Sequence, residues 1–175
     1  MGKLTVTSFI TLDNVVQDPH LWSGEFQSED TGEYNSAVLR DADAMLLGRV
    51  TYEGFAAAWP SRSGDPFSDK FNSMPKYVVS STLERADWNN STILSENPFE
   101  RVRELKADQN LLVWGSPSLV HGLLDAGLVD ELVLLVSPIV RNEGIRLFGD
   151  GKPRKLRVTE PTLLSGGMLG LRMTA

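Results

Sequence analysis

The segment from Met45 to Glu53 contains the residue types and spacing that point most directly to chemistry. A short apolar run predicts a buried strand that ends at Gly48-Arg49 and passes straight into a helix. The start of such a helix presents backbone N–H groups, which together with the helix dipole favour an anion, usually a phosphate. Arg49 adds a planar cation at the same place. We therefore predict a phosphate site at this turn, and a nucleotide is the expected owner of the phosphate.

Two further strand ends carry similar polar turns. Gly115 follows a second buried strand, and Ser116-Pro117 is a predicted helix start, with serine as the cap and proline at the first helical position. Ser80-Ser81 follows a third strand, and by itself indicates no more than a polar turn. Ligands of parallel sheets bind beyond the carboxyl ends of the strands, so these turns are expected to join Gly48 in one site.

The elements that must position these turns alternate between strands and helices. We predict helices over 31–40, 49–58, 98–106 and 117–125, with Asp30 or Thr31 capping the first and Asn97 and Ser116 capping the last two. Strands are predicted over 5–12, 44–47, 76–80, 92–94, 111–114, 131–137, 155–159, 162–164 and 169–174, and loops over 13–29, 59–75 and 138–153. This order predicts one α/β domain spanning residues 1–175, with a mainly parallel central sheet, flanking helices and antiparallel C-terminal strands.

Composition excludes several classes of function. The chain has 175 residues, 41% hydrophobic and 23% charged, which is typical of a globular protein with one sizeable core. It has no cysteine and only two histidines, so no metal site is predicted. A net charge of −6 argues against nucleic-acid binding. No apolar run is long enough to span a membrane and no signal peptide is recognised, so we expect a cytoplasmic protein without membrane contact.

Five motifs in a fixed order resemble the dihydrofolate reductase superfamily, and in particular the branch related to the reductase domain of bacterial riboflavin biosynthesis. The motifs cover nearly the whole chain and are Thr-Leu-Asp-Asn (11–14), Leu-Leu-Gly-Arg-Val-Thr-Tyr-Glu (46–53), Pro-Lys-Tyr-Val-Val-Ser-Ser-Thr-Leu (75–83), Leu-Val-Trp-Gly-Ser (112–116) and Leu-Val-Asp-Glu-Leu-Val-Leu (128–134). The later segments Ser-Pro-Ile-Val (137–140) and Gly-Ile-Arg-Leu-Phe (144–148) are typical of the same branch. Two departures are Ser116, where the family usually has a second glycine, and Asn14, also in place of glycine.

The resemblance implies a dihydrofolate-reductase-like fold and an NADPH-dependent reductase of a small heterocycle, either a pterin or a pyrimidine of flavin synthesis. It implies that the cofactor phosphates meet Gly48, Arg49 and Thr51. It places the adenosine ribose and its 2′-phosphate at Ser80 and Ser81, and the pyrophosphate at Gly115 and Ser116. A non-catalytic nucleotide- or pterin-binding dimer is the alternative.

The family uses a carboxylate on the first helix as proton donor, and Asp30 and Glu33 are the candidates here; a solvated helix face explains the same residues equally well. The resemblance also implies Asp13 near the substrate. Trp22 and Phe26 in the first long loop are candidates for lining the substrate pocket or for packing on the core. The apolar segment from Leu163 to Met173 predicts an edge that needs cover, so we expect a homodimer.

Overall fold

The computed structural model of the protein describes residues 1–149 and 151–174. Within them the strands are β1 (Leu4–Thr11), β2 (Ala44–Gly48), β3 (Lys76–Val79), β4 (Ser91–Leu94), β5 (Leu111–Trp114), β6 (Glu131–Ser137), β7 (Arg157–Leu163) and β8 (Leu169–Thr174). The helices are α1 (Glu29–Arg40), α2 (Arg49–Ala58), α3 (Pro66–Ser73), α4 (Pro98–Asp108) and α5 (Pro117–Asp125). None of the helices in these residues is long and apolar enough to cross a bilayer.

All eight strands form one sheet in the order β4-β3-β2-β5-β1-β6-β8-β7. The first six are parallel, β8 runs antiparallel to β6, and β7 runs antiparallel to β8. The predicted fold class, a mainly parallel sheet with antiparallel C-terminal strands, is therefore confirmed.

Helices cover both faces of the parallel strands, which explains why β2 is buried along nearly its whole length. On one face α4 and α5 contribute Val102, Leu119 and Leu123 to a large aliphatic cluster. On the other face α1, α2 and α3 contribute a cluster rich in aromatic residues, including Tyr52 and Phe71. Connections that move in opposite directions along the sheet lie on opposite faces, as right-handed crossovers require.

The predicted helix starts are confirmed at α4 and α5, where Asn97 and Ser116 occupy the N-cap positions, but the predicted side-chain capping is wrong. Asn97 and Ser116 adopt left-handed backbone angles, with φ of 43° and 54°, and neither side chain caps its helix. In α1 the helix begins earlier than predicted, after Ser28, whose N–H donates to Thr31 Oγ1 at 3.2 Å. A capping residue normally has extended angles, so the left-handed conformation explains why the two side chains turn elsewhere.

Two elements differ from the predictions. The segment 59–75, predicted to be a loop, contains α3, which starts at Asp65-Pro66 with the Asp65 carboxylate accepting from Ser68 N–H at 2.9 Å. The two strands predicted over 155–164 are a single strand, β7, with a bulge between Val158 and Glu160. Pro161 lies within it, which an edge strand tolerates because only one side of the strand is paired.

Candidate cofactor and substrate site

The turns singled out in the sequence lie at neighbouring strand ends. β3, β2 and β5 are adjacent in the sheet, so the turns after Val79, Gly48 and Trp114 share one edge. From β2 the chain moves outward to β3 through α2 and α3 on one face, whereas from β5 it moves the other way to β6 through α5 on the opposite face. The crevice between the ends of β2 and β5 is therefore a topological switch point, where open α/β sheets bind their ligands.

Hydrogen bonds join the two turns at this crevice. Gly48 N–H donates to Ser116 Oγ at 3.0 Å, and Ser116 N–H donates to Thr51 Oγ1 at 3.1 Å. Gly115, with φ of 67°, donates its N–H to the carbonyl of Thr7 at 3.1 Å. Ser116 is buried between the starts of α2 and α5. Its hydroxyl accepts a hydrogen bond from the N–H at the end of β2 instead of capping α5.

The start of α2 has no side-chain partner for its first-turn N–H groups. The helix has no side-chain cap, so the N–H groups of its first turn have no partner within the helix. Arg49 is about half exposed, with 45% of its side chain accessible, and pairs with Glu53 at 3.0 Å one turn further on. Exposed pairs of this kind contribute little free energy, so the guanidinium is free to exchange Glu53 for a ligand phosphate.

At the end of β3 the two serines differ. Ser80 is buried, and its Oγ accepts from the backbone N–H groups of Thr82 at 3.2 Å and Leu83 at 3.0 Å. Its hydroxyl therefore shapes the turn. Ser81 is exposed at the same edge of the sheet, one strand away from Gly48.

The two candidate proton donors occupy different environments. The Asp30 carboxylate accepts from Ser165 N–H at 2.7 Å, from Ser165 Oγ at 2.9 Å, and from the hydroxyl of Ser28. These hydrogen bonds lower the pKa of Asp30 below its ordinary value and fasten α1 to the β7–β8 turn. A general acid needs a pKa near the working pH, so this arrangement disfavours Asp30 in that role. Glu33 lies exposed on α1.

The three candidate substrate residues hold loops together. Asp13 accepts from Thr11 Oγ1 at 2.6 Å and from the N–H groups of Arg141 at 3.1 Å and Asn142 at 2.7 Å, which lowers its pKa to about 2. The carboxylate thus ties the loop after β1 to the loop after β6. Trp22 is 4% exposed and donates from Nε1 to the carbonyl of Gln17 at 2.9 Å. Phe26 packs on a small cluster near the β7–β8 turn.

Asn14 stands where the family that this chain resembles has a glycine, and the turn after β1 is nevertheless formed. It has φ of 72°, and its side-chain amide bonds to both backbone groups of Phe148, donating at 2.6 Å and accepting at 3.0 Å. Asparagine tolerates left-handed angles better than most residues, and here the side chain also holds a distant loop.

No group of three or more His, Asp or Glu side chains in residues 1–149 and 151–174 could hold a metal ion. The fold is that of a dihydrofolate-reductase-like α/β protein, with a crevice at the switch point of its sheet. The family of this chain is more specific: a model of the RibD C-terminal domain matches residues 2–169, and the chain belongs to that family.

Known proteins agree with this assignment. The chain is 32% identical over 139 residues to YyaP, an uncharacterized protein of Bacillus subtilis, with 75% of this chain and 73% of YyaP aligned. The fold matches a putative riboflavin biosynthesis protein from Shewanella with a TM-score of 0.79 at 19% identity, covering 98% of both chains. It also matches the Thermotoga maritima diaminohydroxyphosphoribosylaminopyrimidine deaminase/5-amino-6-(5-phosphoribosylamino)uracil reductase, with a TM-score of 0.70 at 16% identity, covering 99% of this chain and 56% of that one. The predicted family resemblance is confirmed.

Proposed function

We propose that the protein is an NADPH-dependent reductase of a small heterocyclic substrate of the pterin or flavin-pathway pyrimidine type. The observation that carries this proposal is the crevice between β2 and β5, where two helix starts and Arg49 meet. Such a place suits the phosphates of a dinucleotide. Membership in a family whose relatives include a uracil reductase supports the reaction class.

The backbone at the crevice fits a phosphate group. Gly48 has φ of −81°, an angle that any residue adopts, so its backbone does not require glycine. A Cβ there would lie 3.6 Å from Ser116 Cβ and 3.7 Å from Leu119 Cβ, in ordinary contact. The missing side chain leaves open space between the end of β2 and the start of α5, and in this proposal a cofactor phosphate uses that space.

In this proposal each residue has a limited task. The bound cofactor supplies the hydride, while the first turn of α2 and Arg49 hold its phosphates. The exposed Ser81 contacts the adenosine end, and the segment Ser80–Thr82 has no carboxylate that would repel a 2′-phosphate. Hydrogen bonds led by those from the Thr11 and Ser28 hydroxyls lower the pKa values of Asp13 and Asp30, which disfavours both as proton donors, and the proposal therefore takes Glu33 or water as the source of the proton.

Thermal denaturation with NADPH, NADH and no ligand tests the cofactor. We expect a rise in Tm with NADPH that exceeds the rise with NADH, because a ligand that binds only the folded state stabilises it. An equal rise in Tm with the two cofactors would show that the protein does not recognise the 2′-phosphate of NADPH. No change in Tm with either cofactor would reject the proposed reductase function. Oxidation of NADPH followed at 340 nm with dihydropterin precursors and aminopyrimidines then tests the reaction.

The second candidate is a non-catalytic nucleotide- or pterin-binding homodimer. The observation that favours it is Asp30, whose carboxylate is fully engaged by Ser28 and Ser165 and so does not serve as a proton donor. This candidate predicts NADPH or pterin binding without NADPH consumption across the substrate panel. Turnover of any substrate by the wild type, lost in a Gly48→Asp variant that blocks the crevice, would exclude it.

A further inference from the structure

The loop after β1 and the loop after β6 are held to each other along their length, and residues 12–17 and 139–148 are called the paired loops below. Leu12 N–H donates to the Ile139 carbonyl at 2.9 Å, and the Asp13 carboxylate accepts two further backbone N–H groups of the second loop. A movement of one loop therefore requires a movement of the other.

Leu147 and Phe148 form the junction at which the paired loops meet a helix. On one side, the carbonyl of Asn14 accepts from Leu147 N–H at 3.0 Å, and the Asn14 amide bonds to both backbone groups of Phe148. On the other side, His121 of α5 bonds through Nε2 to the Leu147 carbonyl at 2.6 Å. Because a carbonyl only accepts, this Nε2 carries the proton.

The junction is packed as well as hydrogen-bonded. Leu147 is fully buried, and Phe148 packs against the aliphatic cluster on the α5 face of the sheet. Within residues 1–149 and 151–174, the bond from His121 is the only hydrogen bond between a helix and the paired loops. His121 therefore fixes the loop after β1 relative to the helix that starts at the crevice.

The loop after β1 lies beside the crevice, on the side away from Ser81. The sheet order β3-β2-β5-β1 places the end of β3 on one side of the crevice and the end of β1 on the other. Neighbouring strands are about 4.8 Å apart. A dinucleotide with its adenosine end at Ser81 and its phosphates at the crevice therefore extends its nicotinamide half towards the loop after β1.

We propose that His121 is a positioning residue, which holds the loop after β1 through the junction at the place where the nicotinamide half of the cofactor binds. The inference rests on the proposed reductase function. A loop that is already held loses less conformational entropy when a ligand binds, so the bond from His121 raises the affinity for the part of the cofactor that the loop contacts.

Calorimetry on the full chain with NADPH and with adenosine 2′,5′-bisphosphate tests the proposal. The second ligand has the adenosine, the 2′-phosphate and a 5′-phosphate, but no nicotinamide. We expect His121→Leu to weaken NADPH binding about three- to tenfold, the scale of one hydrogen bond, and to leave the bisphosphate within about twofold of the wild type. A merely structural role would weaken both ligands equally or neither, and either result would refute the positioning role.

Two variants test the junction itself. His121→Gln keeps an N–H donor that can reach the Leu147 carbonyl, and it should bind NADPH within about twofold of the wild type. Asn14→Gly removes the side-chain bonds on the other side of the junction but tolerates the φ of 72°, and it should reproduce the difference between the two ligands. A His121→Gln variant that binds NADPH as weakly as His121→Leu, or an Asn14→Gly variant that binds it as the wild type does, would contradict the proposal.

Lys106→Met is the matched control. Lys106 of α4 also donates to a distant backbone carbonyl, that of Leu128 at 3.0 Å, but just before the start of β6 and so at the opposite edge of the sheet from the crevice. This variant should lower Tm and leave the affinity for both ligands unchanged. A loss of NADPH affinity alone in Lys106→Met would show that the difference between the ligands does not report on the junction.

Amide hydrogen exchange without any ligand separates this inference from the cofactor proposal. His121→Leu should speed the exchange of Leu147 N–H and of the amides in residues 12–17, because the paired loops open more often. Unchanged exchange would refute the role of His121 and leave the cofactor proposal standing. Faster exchange in a protein whose wild type binds neither NADPH nor the bisphosphate would instead reject the cofactor proposal, and His121 would then only stabilise the loops.

Discussion

Substitutions at Ser116 measure how much its hydrogen bond to Gly48 and its left-handed backbone change the free energy of unfolding, and they need no ligand. Ser116→Ala removes the hydroxyl that accepts from Gly48 N–H and leaves a partly buried donor unpaired, which costs about 1–3 kcal/mol. It retains the left-handed φ of 54°, which favours glycine. Ser116→Gly loses the same hydrogen bond but relieves the backbone, so we expect it to cost about 1 kcal/mol less than Ser116→Ala.

Asn97 provides a matched control for this comparison. It precedes α4 as Ser116 precedes α5, has φ of 43°, and has no side-chain cap hydrogen bond. Asn97→Ala and Asn97→Gly should therefore differ by the backbone contribution alone, and Ser116→Ala and Ser116→Gly should differ by about the same amount, because both Ser116 variants lose the same hydrogen bond. Equilibrium urea unfolding measures all four variants. A Ser116→Ala variant as stable as the wild type would show that the bond to Gly48 contributes nothing, and equal costs for the two Ser116 variants would refute the backbone argument.

Four further outcomes are expected. Arg49→Ala should weaken NADPH binding by about 1–3 kcal/mol in calorimetry, and unchanged affinity would remove Arg49 from the phosphate site. Asp13→Asn should lower the urea midpoint at neutral pH, and the difference from the wild type should vanish as the pH falls from about 4 towards 2. The pKa of Asp13 is lowered from 3.8 to about 2, so the carboxylate stabilises the folded state only while it is ionised. A difference that persists at about pH 2 would contradict this reasoning. Lys76→Met should cost about 2–4 kcal/mol of unfolding free energy, because the buried ammonium donates to three backbone carbonyls at 2.6, 2.8 and 2.9 Å, and a loss under 1 kcal/mol would mean that water replaces it. Light scattering should give about twice 19.3 kDa, since Leu163 on the outermost strand is 78% exposed, and a monomer mass would reject the dimer.

The order of the elements was predictable from sequence because β2 and β5 are short apolar runs that end at Gly48 and before Gly115, and β3 ends before Ser80-Ser81. The missed helix, α3, had a usable signal in Asp65-Pro66 followed by Phe67 and Phe71 at helical spacing, but prolines and a glycine nearby favoured a loop. Local patterns thus placed the three polar turns correctly at one edge of the sheet. Whether those turns bind NADPH remains a prediction.

Long-range partners explain why the acidic and aromatic candidates were harder to interpret. Asp30 is fixed by Ser165, 135 positions further along the chain, and Asp13 by Arg141, 128 positions away. Local spacing carries no information about such pairs, although they add to the effect of the nearby Ser28 and Thr11 hydroxyls in lowering the pKa of each carboxylate.

The hydrogen bond between Gly48 and Ser116 also constrains how a phosphate can bind. Since Gly48 N–H is already taken by Ser116 Oγ, the donors left for an anion are the first-turn N–H groups of α2 and the Arg49 guanidinium. In the resembling family, which usually has a second glycine at the Ser116 position, the N–H of the strand-ending glycine has no such side-chain competitor. Ser116→Gly should therefore free one more donor, and we expect it to raise NADPH affinity about two- to tenfold, the scale of one added hydrogen bond. Ser116→Ala also frees the Gly48 N–H but keeps a Cβ at position 116. Calorimetry with NADPH on both variants therefore separates the effect of the freed donor from the effect of the added space. Weaker NADPH binding by both variants would instead show that the Ser116 hydroxyl itself contacts the cofactor.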